Sequence, residues 1–394
     1  MPPSQTAAVK RIAFDTWSLH RRYLNHGIHV YARELLTAFA QMAPERVLEI
    51  RPFRSPGFDS VSDDLPESTG LKHQPTSLLK FERLWRYGGS AFVASSGGAD
   101  LLFNPGGTAV ALKRLVPTVS TIHDLTPLVM PSSSRRVTFF LKLLLRAAVK
   151  GSTALITDSE CSKRDLVSIW GVPESRVSVV YLGYNKAIYN DSVPDKQAQQ
   201  KLLKKFEIGK PYIVHHGAVQ PRKNLKRLIQ AYRLLLARRL DLDFDLVLAG
   251  PLAWLHEETV AEAQQTAEKR GRVVFTGALS DPDLALMIKG AALEVIPSLY
   301  EGFCLPMVEA MACGIPTIAA NDSCLPEISG KGLRYFDPES IEEMAVCMEQ
   351  GLTEQELRRA LVEHGKERVA IFDWQRCAAQ TLDILERVAR ERAV

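Results

Sequence analysis

The second half of the chain repeats one pattern. Short apolar runs at Tyr212–His216, Phe244–Ala249, Arg272–Thr276, Leu293–Pro297 and Pro316–Ala320 are each followed by a helical pattern, at intervals of about 20–40 residues. Strands that alternate with helices pair in parallel, through crossovers that lay helices over both faces of the sheet. The spacing therefore predicts an α/β fold on a parallel sheet. The first half shows the same alternation less cleanly. Strands are expected at Arg11–Asp15, Val47–Arg51, Leu101–Asn104, Thr118–Ile122, Ala154–Thr157 and Val177–Tyr181, and helices at Val30–Gln41 and Val137–Val149. A chain of 394 residues exceeds what one core ordinarily serves. Two domains are expected, 1–183 and 211–371, joined by a polar, Lys/Gln-rich linker at 184–210. A last helix over 372–394 puts Trp374, Leu382, Ile384, Leu385 and Val388 on one side, suited to packing back on the N-terminal domain. Open α/β sheets bind ligands beyond the carboxyl ends of their strands, so two facing sheets make the cleft between them the expected site.

Composition excludes several classes. Residues 1–183 hold 22 Lys and Arg against 15 Asp and Glu, and the remainder 27 against 30. That imbalance is too small to predict nucleic-acid binding. No apolar run reaches the ~18–20 residues needed to cross a bilayer, and the N-terminus lacks the apolar region of a signal peptide. The six cysteines (Cys161, Cys304, Cys313, Cys324, Cys347 and Cys377) include no C-x-x-C pair. They read as free thiols of a cytoplasmic protein.

Chemistry concentrates in a few places. In Glu301-Gly302-Phe303-Cys304-Leu305-Pro306-Met307-Val308-Glu309, two carboxylates bracket a turn and a helix expected to open at Pro306, with Glu309 in its first turn. A helix start presents backbone N–H groups and a positive dipole end, which suit a phosphate. The flanking carboxylates can accept hydrogen bonds from sugar hydroxyls. Ordinary helix capping also accounts for acidic residues here. In Gly217-Ala218-Val219-Gln220-Pro221-Arg222-Lys223-Asn224, a glycine turn ends a strand and two cations stand at an expected helix start, where the dipole disfavours them. An anion would justify them; a solvated basic turn is the plainer reading. His123 ends the strand Thr118–Ile122, placed either to donate to a ligand or to bond backbone in the core. Asp124 either orients it or starts the next turn. Gly27 stands before the first long helix, where backbone can approach a ligand.

No metal site is expected. Asp241, Asp243 and Asp245 read as solvated loop residues at a strand entry, and no P-loop, H-E-x-x-H, G-x-S-x-G or G-x-G-x-x-G motif occurs. Residues 77–87 and 135–150 are basic and apolar together. Such helices either lie in a membrane interface or are core helices whose long cations snorkel.

Taken together, these motifs resemble retaining glycosyltransferase family 4 over nearly the whole chain. The resemblance rests on Glu301-x7-Glu309, Pro221-Arg222-Lys223-Asn224, Ile122-His123-Asp124 and Gly27, in that family's order. It implies the GT-B fold, two Rossmann-like domains with parallel sheets facing a cleft. It also implies a nucleoside diphosphate sugar as donor, with no cofactor. Arg222 and Lys223 would bind the diphosphate beside the Gly217 turn, and Glu309 the ribose diol. Glu301 would contact the donor sugar, and backbone from Gly302 through Phe303, Cys304 and Leu305 would line it. Gly277, within Phe275–Leu279, would border the base. His123 would reach the donor sugar, so His123, Glu301, Arg222 and Lys223 are the expected catalytic set. Cys304 stands where family members usually have glycine, and His29 replaces a second glycine near the first helix. Ala218 stands where many relatives have arginine.

The turn and the His-Asp pair are similar to bacterial mannosyltransferases of surface polysaccharide. They favour a GDP sugar and a saccharide or lipid-linked acceptor, with peripheral membrane contact through 77–87 and 135–150. A sugar-nucleotide epimerase or hydrolase of the same fold, or a binding protein without turnover, stays open as an alternative.

Overall fold

The structure is a computed structural model that describes residues 10–19, 27–42, 46, 48–53, 85–107, 109–130, 135–266 and 271–391. The chain forms two compact units, Met1–Gly183 with Phe372–Val394, and Tyr184–Ile371.

The first unit is built on β1 (Lys10–Asp15), β2 (Leu48–Phe53), β3 (Leu101–Asn104), β4 (Thr118–Ile122), β5 (Ala154–Thr157) and β6 (Val177–Val179). They lie in the order β2-β1-β3-β4-β5-β6, and every pair is parallel. Strands β3, β4 and β5 are buried at every residue, which explains their continuous apolar runs. Phe14, Phe39 and Phe103 meet edge-on or tilted, with centroids 5.5–6.1 Å apart, and tie helix α1 (Gly27–Met42) to the sheet. Helix α2 spans Arg135–Gly151. The C-terminal helix Trp374–Glu391 packs on α1 and reaches β1 and β3. Its Trp374, Leu382, Ile384, Leu385 and Val388 are all buried.

The second unit is built on β7 (Tyr212–His216), β8 (Asp245–Ala249), β9 (Val273–Phe275), β10 (Leu293–Ile296), β11 (Thr317–Ala320) and β12 (Arg334–Phe336). Their order is β12-β11-β10-β7-β8-β9, again with every pair parallel. Two expectations need correction. Residues 184–210 are part of this unit rather than a linker. Within them Asp195 caps helix α3 (Lys196–Lys205), which packs on the helix Asp281–Lys289, with Gln199 Nε2 donating to the Leu286 carbonyl at 3.0 Å. Asp245 is a buried first residue of β8, 3.7 Å from Arg272, and not a solvated loop residue.

Candidate functional site

In the second sheet the strand order reverses at β7, with β8 and β9 added on one side and β10 on the other. A reversal of this kind leaves a crevice at the carboxyl ends of the two central strands. The loops after β7 and β10 carry most of the residues singled out in the sequence.

Gly217 leaves β7 with φ 137°, and a Cβ there would lie 3.4 Å from Lys223 Cε and Nζ. Only glycine takes that conformation without strain, and its small size leaves the lysine its place. The chain continues through one 3-10 turn, Pro221–Lys223, then Asn224 at φ 59°, before helix α4 (Leu225–Arg238). The two cations therefore precede the α-helix instead of sitting in its first turn, because Asn224 adopts the left-handed conformation that asparagine tolerates. Asn224 Nδ2 donates to the carbonyls of Pro297 and Pro338, at 3.1 and 2.7 Å. The Leu299 amide donates to the Arg222 carbonyl at 2.9 Å. These bonds lock the turn after β7 to the loops after β10 and β12.

Glu301 receives both cations. Lys223 Nζ donates to Oε1 at 2.7 Å, and the Arg222 guanidinium pairs with Oε2 while also donating to the Tyr300 carbonyl at 2.8 Å. The Glu301 amide donates to Ser323 Oγ at 3.0 Å. Lys223 and Glu301 are each only 5% exposed. Burial alone would raise the Glu301 carboxyl; Arg222 and Lys223 outweigh it and hold it at about 2. The cluster thus carries two positive charges against one fixed negative charge.

Helix α5 runs Leu305–Ala312, one residue earlier than expected, which moves Glu309 out of the first turn. The cause is Cys304, which takes the left-handed conformation (φ 72°, ψ 67°) as the residue preceding the helix. A non-glycine residue held there stores about 1–3 kcal/mol of strain. This accounts physically for the glycine expected at that position. The Cys304 thiol is buried and pushed up to about 12, first by desolvation and then by Glu301. Phe303 is buried beside it. Glu309 Oε2 lies 3.1 Å from His216 Nε2, and His216 Nδ1 lies 3.2 Å from Glu294 Oε1. Neither His216 nor Glu294 was singled out in the sequence. The available signals were a glutamate inside the apolar run Leu293-Glu294-Val295-Ile296 and a histidine pair ending β7. Gly277 follows β9 at φ 68°, with nothing within 4 Å of where a Cβ would stand.

In the first unit, His123 Nδ1 is 2.6 Å from Asp158 Oδ2 and Nε2 is 2.8 Å from the Pro105 carbonyl. Both partners are acceptors, so the ring is satisfied only as an imidazolium. Burial pulls His123 down, but Asp158 and the Pro105 carbonyl win and its pKa lies above the ordinary value. Asp124 does not orient it. Asp124 Oδ1 accepts from the Thr126 amide at 2.9 Å and starts the short helix Thr126–Val129. Tyr31 packs edge-on against His123, centroids 4.8 Å apart, and bonds Thr121 through its hydroxyl. Gly27 opens α1, and a Cβ added there would meet nothing within 4 Å.

The two basic apolar stretches differ. Residues 77–84 lie outside the described residues. Trp85 is fully buried and donates to Asp15 Oδ1 at 3.0 Å, so it is core rather than an interfacial anchor. Helix α2 turns Leu144, Leu145, Ala148 and Val149 inward while Phe139, Phe140 and Leu143 stand 53–65% exposed. Among the described residues no helix is long and apolar enough to cross a membrane.

Comparison with known proteins places these features. Residues 24–187 match the model of Glycosyltransferase Family 4, and residues 197–368 match that of Glycosyl transferases group 1. The O-antigen chain mannosyltransferase B of Escherichia coli is 28% identical over 274 residues, covering 68% of this chain and 70% of that protein. The serotype-specific mannosyltransferase WbdA of Escherichia coli is 31% identical over 283 residues, covering 69% of this chain but only 33% of that longer protein. Among solved structures, sucrose-phosphate synthase from Thermosynechococcus elongatus superposes with a TM-score of 0.73 at 19% identity, over 96% of this chain and 99% of that one. That likeness concerns the fold, which is GT-B.

Proposed function

Because the chain belongs to the family 4 glycosyltransferases, we propose that it moves a hexose, mannose by preference, from a GDP sugar to an acceptor hydroxyl with retention at the anomeric carbon. The acceptor is a saccharide or lipid-linked saccharide in surface polysaccharide synthesis. The observation that carries this reading is the buried Arg222–Glu301–Lys223 cluster at the strand-order reversal. A diphosphate leaving group gains charge as the glycosidic bond breaks. Fixed cations beside a helix N-terminus stabilise that charge with little reorganisation, often the largest single catalytic contribution. Arg222 and Lys223 take the diphosphate, Glu301 the donor sugar hydroxyls, and Glu309 the ribose diol. The backbone from Gly302 to Leu305 lines the sugar, Gly217 gives the turn its shape, and Gly277 borders the base. The preference for mannose and a GDP donor is supported by the mannosyltransferase names of the relatives. In the first unit, the proton His123 shares with the Pro105 carbonyl is the one offered to a ligand hydroxyl, and Gly27 leaves room for backbone contact. Retention follows from front-face attack, in which the leaving phosphate accepts the acceptor proton. A carboxylate trapped covalently on the sugar would contradict it.

The direct test is a donor screen by thermal shift and slow hydrolysis across GDP and UDP sugars, since bound ligand raises stability by mass action. GDP-mannose is expected to give the largest shift, and a hexose product on an added acceptor. A free epimer, or hydrolysis unaffected by acceptor, would favour the epimerase or hydrolase reading. Arg222 and Lys223 supply the charge a divalent cation would otherwise bring, so the same assay is expected to proceed in EDTA. Abolition by the chelator would overturn that part.

A lipid-linked acceptor requires access to a membrane, and helix α2 supplies a suitable face. It carries five cations (Arg135, Arg136, Lys142, Arg146 and Lys150), no acidic residue, and the exposed Phe139, Phe140 and Leu143. We assign the protein to the cytoplasmic side of a membrane on this basis. The triple variant Phe139→Ser, Phe140→Ser, Leu143→Ser is expected to reduce co-sedimentation with phosphatidylglycerol vesicles by at least about tenfold, from the apolar area lost. Transfer to a soluble acceptor is expected to persist. Equal co-sedimentation of variant and parent would remove this helix from the membrane.

A further inference from the structure

Glu309 belongs to a second cluster in the sheet of the second unit, whose other members, Glu294 and His216, have no role in the account above. Glu294 lies inside β10, paired in register with Val214 of β7 and Thr317 of β11, and is fully buried. Its Oε1 accepts from the His216 backbone amide at 3.2 Å and faces His216 Nδ1 at 3.2 Å. His216 is 2% exposed, and its Nε2 faces Glu309 Oε2 at 3.1 Å. A carboxylate in a strand interior is a poor way to hold a sheet together, since an apolar pair of similar volume serves as well or better. Glu294 Oε2 is also buried without a hydrogen-bond partner, an added desolvation cost. The arrangement therefore calls for an explanation other than fold stability.

An imidazole between two carboxylates satisfies both only when each ring nitrogen carries a proton. Glu294 thus keeps His216 cationic, and His216 grips one oxygen of Glu309, leaving the other for a ligand. We infer that Glu294 and His216 are positioning residues that act through Glu309, holding its carboxylate turned toward the two ribose hydroxyls of the donor. This rests on the reading of Glu309 as the diol-binding group.

The charges around His216 support it. Glu294 from β10, Glu309 from α5 and His215 from the same strand act on His216 itself, while Lys223 from the turn after β7 acts on Glu294, the Cys313 thiol at the end of α5 on both glutamates, and Tyr189 from the segment before α3 on Glu309. Burial pulls His216 down, but Glu294 first and then Glu309 carry it up to about 9. Below that pH the bridge is intact. As pH rises through it, the ring loses one N–H and Glu309 faces a lone pair.

The test measures dissociation constants of GDP and UDP against their 2′,3′-dideoxy counterparts between pH 6 and 10. In the parent protein the diol is expected to improve affinity by about tenfold, the scale of one charge-assisted hydrogen bond. That advantage is expected to fade above about pH 9, the His216 value. Glu309→Gln is expected to abolish it, and Glu294→Gln to weaken it at pH 8 and shift its fading to lower pH. The apolar double variant His216→Val, Glu294→Leu preserves a packed core and is expected to fold, as thermal denaturation will report, yet to lose the diol advantage. Equal binding of diol and dideoxy forms by the parent, or an advantage that survives Glu309→Gln, defeats the diol-binding reading and this proposal with it. An advantage lost in Glu309→Gln but kept, with its parental pH profile, in Glu294→Gln or the double variant defeats the relay alone.

Discussion

Lys223→Ala is expected to lower kcat/KM for the donor by about 10²–10³, the loss typical when one preorganised charge-stabilising donor is removed. The lysine ammonium is 5% exposed and bonded to Glu301 at 2.7 Å, while Gly217 leaves space around its last two atoms. A buried ammonium held in place by its bond to Glu301 needs little reorganisation when charge develops beside it. The fall is expected mainly in kcat, because the diphosphate gains charge in the transition state. Lys223→Met retains the aliphatic stem and is expected to match the alanine variant in rate while exceeding it in stability. Steady-state kinetics within twofold of the parent for both variants would exclude Lys223 from the chemistry.

Glu301→Ala is expected to have the largest effect on folding. Removing the carboxylate takes the Glu301 counter-charge from the buried Lys223 ammonium and the half-buried Arg222 guanidinium, and breaking a buried pair ordinarily costs about 3–5 kcal/mol. The parent protein is expected to show the same interaction through pH. The Glu301 carboxyl sits at about 2 when folded and near 4.5 when free. A lowered folded value favours the native state at every pH above the unfolded one. The contribution, about 3 kcal/mol, is lost as pH falls from about 4.5 through about 2. Urea denaturation at pH 7, 4 and 3 is expected to show the parent losing stability across that interval. Glu301→Gln should start lower and lose less. Parallel curves for the two proteins would mean that Glu301 is not the group being titrated.

Much of this was legible beforehand, and the reasons differ by feature. Eleven strands were legible, most of them as apolar runs because both faces of a parallel sheet are covered; β2 (Leu48–Phe53), with Glu49 and Arg51 half-buried, alternates instead. The twelfth, Arg334–Phe336, did not, being a short edge strand that begins with an exposed arginine. The residue types of the site were visible as Glu301, Glu309, Arg222 and Lys223, but their pairing was not. Seventy-eight positions separate Lys223 from Glu301, and only the sheet order brings their loops together. Asp158 escaped notice for the same reason: it becomes the partner of His123 through the parallel register of β4 and β5. Asp124, next door in sequence, was the more obvious candidate and is used by its own turn. The start of α5 was misplaced by one residue because backbone conformation at Cys304 cannot be read from a cysteine.

The helix Trp374–Glu391 has a consequence for biosynthesis. It supplies Trp374, Leu382, Leu385 and Val388 to the core of the unit that contains β1 to β6. Each such side chain contributes roughly 1.5–3 kcal/mol when buried. Most of that unit is made before the other unit, yet it lacks this wall until translation has passed Glu391. The half made second can reach its native contacts sooner than the half made first, which must wait with part of its interior open.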